Sequence, residues 1–201
     1  NLKCYQINRN DNRCYYHFHL MMYGDTQKPL NGGVTPVRRL YSGLSKVGNM
    51  SDTALASEWL PLAPAQLDFW EEHTLHPGQT LSTVAHCTEL CGAVEEETLC
   101  RAIATTLAET QAFALRFGER RGDAPPPLRH DPQRIPPLQR IDLQTHGDPW
   151  QAAQSLMRED IAQRRALHSE PLAAAWLLKL GPERYLWYVR AHHILVDGFG
   201  M

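Results

Sequence analysis

The chain has 201 residues, of which 43% are hydrophobic, and a formal net charge of −2 from 20 basic and 22 acidic side chains. That length allows one domain with a tail, or one lobe of a larger domain, and the apolar content is enough for a packed core. The near-balanced charge offers no basic face to nucleic acid or an anionic membrane, no apolar run approaches the roughly 20 residues that span a bilayer, and the five irregularly spaced cysteines read as reduced thiols of a cytoplasmic protein.

Residues 1–49 mix Asn, Arg, Tyr, Cys and Gly with no sustained helical or strand period. Met50-Ser51-Asp52 reads as a start. Lys46-Val47-Gly48 before it can be encoded by bases close to a bacterial ribosome-binding sequence. The expectation is a non-native or disordered leader over 1–49 and one unit over 50–201. From Leu60 the patterns sharpen. They predict a helix over 65–75, with Leu67, Trp70 and Leu75 available for burial, and a strand over 81–90. A helix is predicted over 94–110, buried along Leu99, Ala102, Ile103 and Thr106, with Glu95, Glu96 and Glu97 where its dipole favours negative charge. A short strand is predicted over 113–117. Prolines at 125–127, 132, 136 and 137 assign residues 123–137 to loop or edge structure. Asp148-Pro149 reads as an N-cap with proline at the first helical position, and the helix behind it places Trp150, Ala153, Met157 and Ile161 on one side. Strands over 172–180 and 185–193 follow, turned at Gly181-Pro182.

The last strand leads into His192-His193-Ile194-Leu195-Val196-Asp197-Gly198-Phe199. Alternation puts Tyr185, Trp187, Val189, Ala191 and His193 on one face, and Leu186, Tyr188, Arg190 and His192 on the other. The two histidines therefore cannot share one task while both remain in the strand. His193 lies nearest the exit and is the candidate general base, because a half-buried imidazole can hold a fixed tautomer and exchange a proton near neutral pH. Asp197 can meet the imidazole or hold the loop by pairing with an arginine, and Gly198 permits backbone angles closed to other residues.

This string resembles the signature of nonribosomal peptide synthetase condensation domains, which have the chloramphenicol-acetyltransferase-like fold. Leu60-Pro61-Leu62-Ala63-Pro64-Ala65-Gln66-Leu67-Asp68-Phe69-Trp70 resembles the family's opening motif, and Leu115-Arg116-Phe117 the end of its second motif. The resemblance covers 60–201, the N-terminal lobe. It implies an α/β lobe with a mixed sheet flanked by helices, and a second lobe, absent here, as the far wall of the active-site channel. It implies an enzyme that forms an amide between a carrier-bound acyl thioester and a carrier-bound aminoacyl amine. His193 then deprotonates or positions the amine, with His192 in support, and Asp197 and Gly198 are structural. Where the family's second motif carries His-Glu and then Leu-Arg, this chain has Thr110-Gln111 and Phe113-Ala114. Arg116, two residues beyond Ala114, is the expected substitute partner of Asp197.

No cofactor is expected to bind directly, since the substrates ride on phosphopantetheine arms. The implied partners are an acyl or aryl carrier protein, a peptidyl carrier protein, and downstream adenylation and carrier domains. Within the family the likeness is to siderophore assembly, with an aryl acid as donor. The rivals are an epimerisation domain, another acyltransferase of the same fold, and an inactive fragment that only binds a carrier protein. Cys4, Cys14, His17 and His19 match no common zinc spacing, so no metal is expected. Cys87, Cys91 and Cys100 read as small core residues, His73 and His76 as surface or capping residues, and the pairs Arg120-Arg121 and Arg164-Arg165 as solvated, with one pair a candidate contact for an acidic carrier protein. No phosphate loop or serine nucleophile elbow is present, which argues against direct use of ATP.

Overall fold

The computed structural model describes residues 58–76, 82–120 and 122–196, and the backbone of 3–7 and 15–21. A six-stranded mixed sheet runs in the order β1-β2-β3-β8-β7-β6. Strands β1 (Lys3–Ile7) and β2 (Tyr15–Met21) extend it beyond β3 (Thr83–Cys91). The centre is β3 paired antiparallel to β8 (Arg184–His192), which in turn pairs antiparallel to β7 (Ala173–Gly181). The far edge is β6 (Leu138–Asp142), parallel to β7. A ribbon of β4 (Leu115–Phe117) and β5 (Leu128–His130) stands apart.

Helices cover both faces of the sheet. On one, α2 (Glu96–Glu109) buries Cys100, Ile103 and Leu107 against Ala175, Leu177, Tyr185 and Ala191, together with Phe113, Phe117 and Leu128. Of the expected stripe Ile103 is buried and Leu99 partly so, but Ala102 and Thr106 are exposed and Leu107 is buried in their stead. The buried stripe thus runs through Cys100, Ile103 and Leu107, and Thr106 faces out with its hydroxyl donating to the Ala102 carbonyl at 3.0 Å. On the other face, α3 (Pro149–Ala162) buries Ala153, Met157 and Ile161 against Ala85, Cys87, Leu178 and Leu186. Its N-cap is as predicted: the Asp148 carboxylate accepts the Gln151 N–H at 2.9 Å. Each large apolar side chain sealed this way contributes about 1.5–3 kcal/mol relative to exposure.

Three local expectations are corrected. Residues 111–114 form a 3₁₀ turn, and only 115–117 are strand. The proline-rich stretch is loop and edge structure as expected, with β5 in a two-stranded ribbon and a 3₁₀ turn, but a further strand, β6, begins directly after Pro136-Pro137, an arrangement tolerated because β6 is an edge strand. Leu75, offered for burial, is 73% exposed at the end of α1 (Pro64–Leu75), although Leu67 and Trp70 do pack against the core. No helix among the described residues is long and apolar enough to cross a membrane.

Candidate functional site

β8 alternates as its sequence predicts. Tyr185, Trp187, Val189 and Ala191 meet the α2 side, and Leu186 and Tyr188 meet α3. The ladder ends in an ordered way. The His192 N–H donates to the Leu172 carbonyl at 2.8 Å, on the β7 side, and the His193 N–H to the Ser82 carbonyl at 2.7 Å, on the β3 side. The chain then turns, with the Leu195 N–H donating to the His192 carbonyl at 2.9 Å. Ile194, Leu195 and Val196 drop into the core, so the turn that presents His193 is anchored from below.

The two imidazoles are held in opposite tautomers. The buried His192 ring accepts the Ile194 N–H at Nδ1, 3.1 Å away, so its own proton sits on Nε2. Burial, then the neighbouring His73 and His193, pushes its pKa down to about 3. The partly buried His193 ring has Nδ1 2.9 Å from the Val196 carbonyl oxygen. A carbonyl only accepts, so Nδ1 carries the proton and the lone pair is on Nε2. In this tautomer Nε2 is the acceptor of the His193 ring, and the His192 ring is neutral.

Helix α1 faces this turn. The Gln66 amide donates from Nε2 to the Ile194 carbonyl at 3.1 Å. The Phe69 ring stacks on the His193 ring, centroids 4.7 Å apart and planes 5° from parallel. The His73 ring meets His192 edge-on at 5.5 Å. The Ser82 hydroxyl donates to the Glu72 carboxylate. Arg164 donates to the His73 carbonyl and to its Nε2, each at 3.1 Å; burial and then that charge lower the His73 pKa. Reading the sequence alone misses Gln66, Phe69 and His73 as a set. Their spacing of three and four residues, which aligns side chains on one helix face, is the signal that finds them.

The opposite face of β8 holds a closed ionic cluster. Asp160 accepts from Arg190 Nε at 2.8 Å, from the Tyr188 hydroxyl at 2.9 Å and from Arg165 at 2.9 Å. Arg165 is therefore no solvated residue, as its sequence neighbourhood had led us to expect; a buried carboxylate recruits it. A cavity of about 570 Å³ beside β7 is lined by Arg116, Asp131, Arg134, Asp160, Arg165 and Arg190, and does not reach His193. Arg116, the expected partner of Asp197, pairs with Asp131 at 3.3 Å. Asp197 and Gly198 lie outside the described residues, as do the side chains of Cys4, Cys14, His17 and His19. Ala114, which stands at the family's arginine position, is fully buried. Among the described residues, no three His, Cys, Asp or Glu side chains converge as metal ligands.

Residues 56–201 match the family model described as Condensation domain. The chain is 36% identical over 148 residues to enterobactin synthase component F of Escherichia coli K12, covering 71% of this chain and 11% of that protein. It is 32% identical over 139 residues to the dimodular nonribosomal peptide synthase of Bacillus subtilis 168, covering 69% of this chain and 6% of that one. The starter condensation domain of rhizomide synthetase superposes with a TM-score of 0.62 at 30% identity, over 71% of this chain and 36% of that chain. The first condensation domain of the calcium-dependent antibiotic synthetase gives 0.60 at 30% identity, over 71% and 36%. The chain thus spans about a tenth of the first relative and about a third of the solved domains.

Proposed function

The chain belongs to the condensation-domain family, with its chloramphenicol-acetyltransferase-like fold, and from that premise we propose that it supplies the base-bearing wall of an amide-forming site. The amine of a carrier-bound aminoacyl thioester attacks the carbonyl carbon of a carrier-bound acyl thioester. The C–N bond forms, the C–S bond breaks, and the thiol of the donor's phosphopantetheine arm leaves. His193 Nε2 takes the amine proton and returns it to the departing sulfur. A base placed this way is worth about 10²–10⁴-fold, and holding amine and carbonyl in reach supplies more. A second lobe is the other wall of the channel in this reading. The observation that carries it is the His193 tautomer, whose lone pair is left on Nε2 at the exit of β8.

His192 supports the turn, Gly198 and Asp197 shape the loop beyond it, and Asp197 pairs with Arg116, drawing it from Asp131. The catalytic unit is residues 50–201; the family match from residue 56 supports that boundary. The partners are an acyl or aryl carrier protein, a peptidyl carrier protein, and adenylation and carrier domains of the same synthetase, working in the cytoplasm. The likeness to enterobactin synthase component F supports a siderophore product with an aryl acid donor. A fatty acyl donor is the second reading, favoured by the likeness to a variant starter condensation domain solved with C8-CoA.

The test is amide formation between loaded carriers, with a second lobe supplied. His193→Ala should lower the rate by about 10²–10⁴-fold, and aryl donors should outrun fatty acyl donors. An undiminished rate in that variant overturns the assignment. Inversion of an aminoacyl thioester in place of amide formation gives the site to epimerisation.

A further inference from the structure

His193 follows the last residue of β8, so the sheet ladder does not hold its side chain. The hydrogen bond from Nδ1 to Val196 selects a tautomer only while the ring stays in the plane that makes it. Something else must keep that plane.

Two side chains of α1 do so. Gln66 is tied at both ends of its amide. Oε1 accepts the Ala63 N–H at 3.0 Å, at the start of the helix, while Nε2 donates to the Ile194 carbonyl, 128 residues away. The cap of α1 and the turn after β8 therefore share one side chain. Phe69 lies one turn further along and is itself packed against the core. Its ring covers one side of the His193 imidazole at stacking distance and nearly parallel. A stacked neighbour resists rotation out of the plane, and its face attracts the imidazolium that forms once Nε2 has taken a proton.

We infer that Gln66 and Phe69 are positioning residues for His193: the amide fixes the turn, the ring fixes the plane of the imidazole, and together they keep the lone pair on Nε2. The catalytic use of this clamp rests on the function proposed above; the clamp itself is a property of the folded chain.

The experiment is imidazole ¹⁵N spectroscopy of the 201-residue chain labelled at histidine, with His193 assigned by His193→Gln. The wild type should hold His193 as the single Nδ1–H tautomer. In Phe69→Leu the minor tautomer should rise roughly two- to tenfold, as loss of one stacked pair implies. Gln66→Glu, an isostere that cannot donate to Ile194, should raise it as well. Phe69→Tyr should restore the wild-type pattern, which a merely space-filling role does not require. A mixed tautomer in the wild type, or an unmoved single tautomer in both Phe69→Leu and Gln66→Glu, overturns the inference. If Phe69→Leu fails to fold, Gln66→Glu and Phe69→Tyr decide it. A tautomer response here, with no amide formed when loaded carriers and a second lobe are supplied, removes the condensation reading and leaves the clamp.

Discussion

The two faces of β8 treat buried polar groups in opposite ways. Toward α3, Arg190 and Asp160 are both sealed from solvent, and Tyr188 and Arg165 complete the carboxylate's partners. Toward α1, His193 has one ring nitrogen occupied by Val196 and the other carrying a lone pair. A buried charge is tolerated only when it is paired and hydrogen-bonded. The first face is therefore architecture, and its groups hold one another. The second leaves His193 Nε2 as an acceptor just past the end of the strand. The division begins in β8, where a strand turns successive side chains to opposite sides, and the turn beyond it carries His193 out of the ladder.

The largest expected effect breaks the closed face. Asp160→Ala leaves Arg190 buried without a counter-ion and should cost about 3–5 kcal/mol in urea unfolding. Replacing both, Asp160→Leu with Arg190→Met, should recover much of that, since an apolar pair carries no desolvation penalty. A loss below about 1 kcal/mol for the single variant would remove the distinction between the faces.

A smaller effect sharpens the contrast between the adjacent histidines. His192 is depressed from 6.5 to about 3, chiefly by burial, and His73 is lowered in the same sense. The unfolded chain then binds protons near pH 6.5 that the folded chain refuses. The stabilisation from His192 is whole above about 6.5 and drains as pH falls toward about 3, by up to about 1.4 kcal/mol per pH unit, and His73 adds to it in the same direction. Glu95 and Glu96, lowered below 4.5 by hydrogen bonds from Thr98 and from Lys179 and Arg140 respectively, add a loss only at more acid pH. Denaturant midpoints between these limits should fall on acidification in the wild type and flatten in His192→Gln. An unchanged slope in that variant would mean the ring is open to solvent.

The smallest effect is a null one. Burial, then the nearby Glu89 charge, pushes the Cys87 thiol up to about 12. Folded protein at mildly alkaline pH should leave Cys87 unalkylated by iodoacetamide in peptide mass mapping. Rapid labelling would show that the α3 face opens in the native state.

Much of this was legible beforehand where the signal is local. The Asp148-Pro149 cap, the turn at Gly181-Pro182 and the two faces of β8 all follow from short-range rules, and the structure keeps each of them. β6 was hidden because it is a short edge strand behind two prolines, where alternation is weak. The pattern extends the strand back over Phe113 and Ala114, which belong to the 3₁₀ turn, because apolar residues over so short a span fit either form. Arg165 and His73 were read as surface residues because their partners, Asp160 with Glu170 and Arg164 with His192, are visible only once the helices and sheet are assembled.

The sequence by itself determined the three helices and the strands β3, β7 and β8, which face of the last strand leads to His193, and which family the histidine string resembles. These depend on side-chain spacing along one strand or helix, and that spacing is written in the chain. Only the tertiary structure decided that His192 and His193 take opposite tautomers, that Gln66 and Phe69 grip the turn, and that Asp160 closes the face behind it. Those outcomes require donors and acceptors far apart in sequence to meet within hydrogen-bonding or stacking distance, and packing alone brings them there.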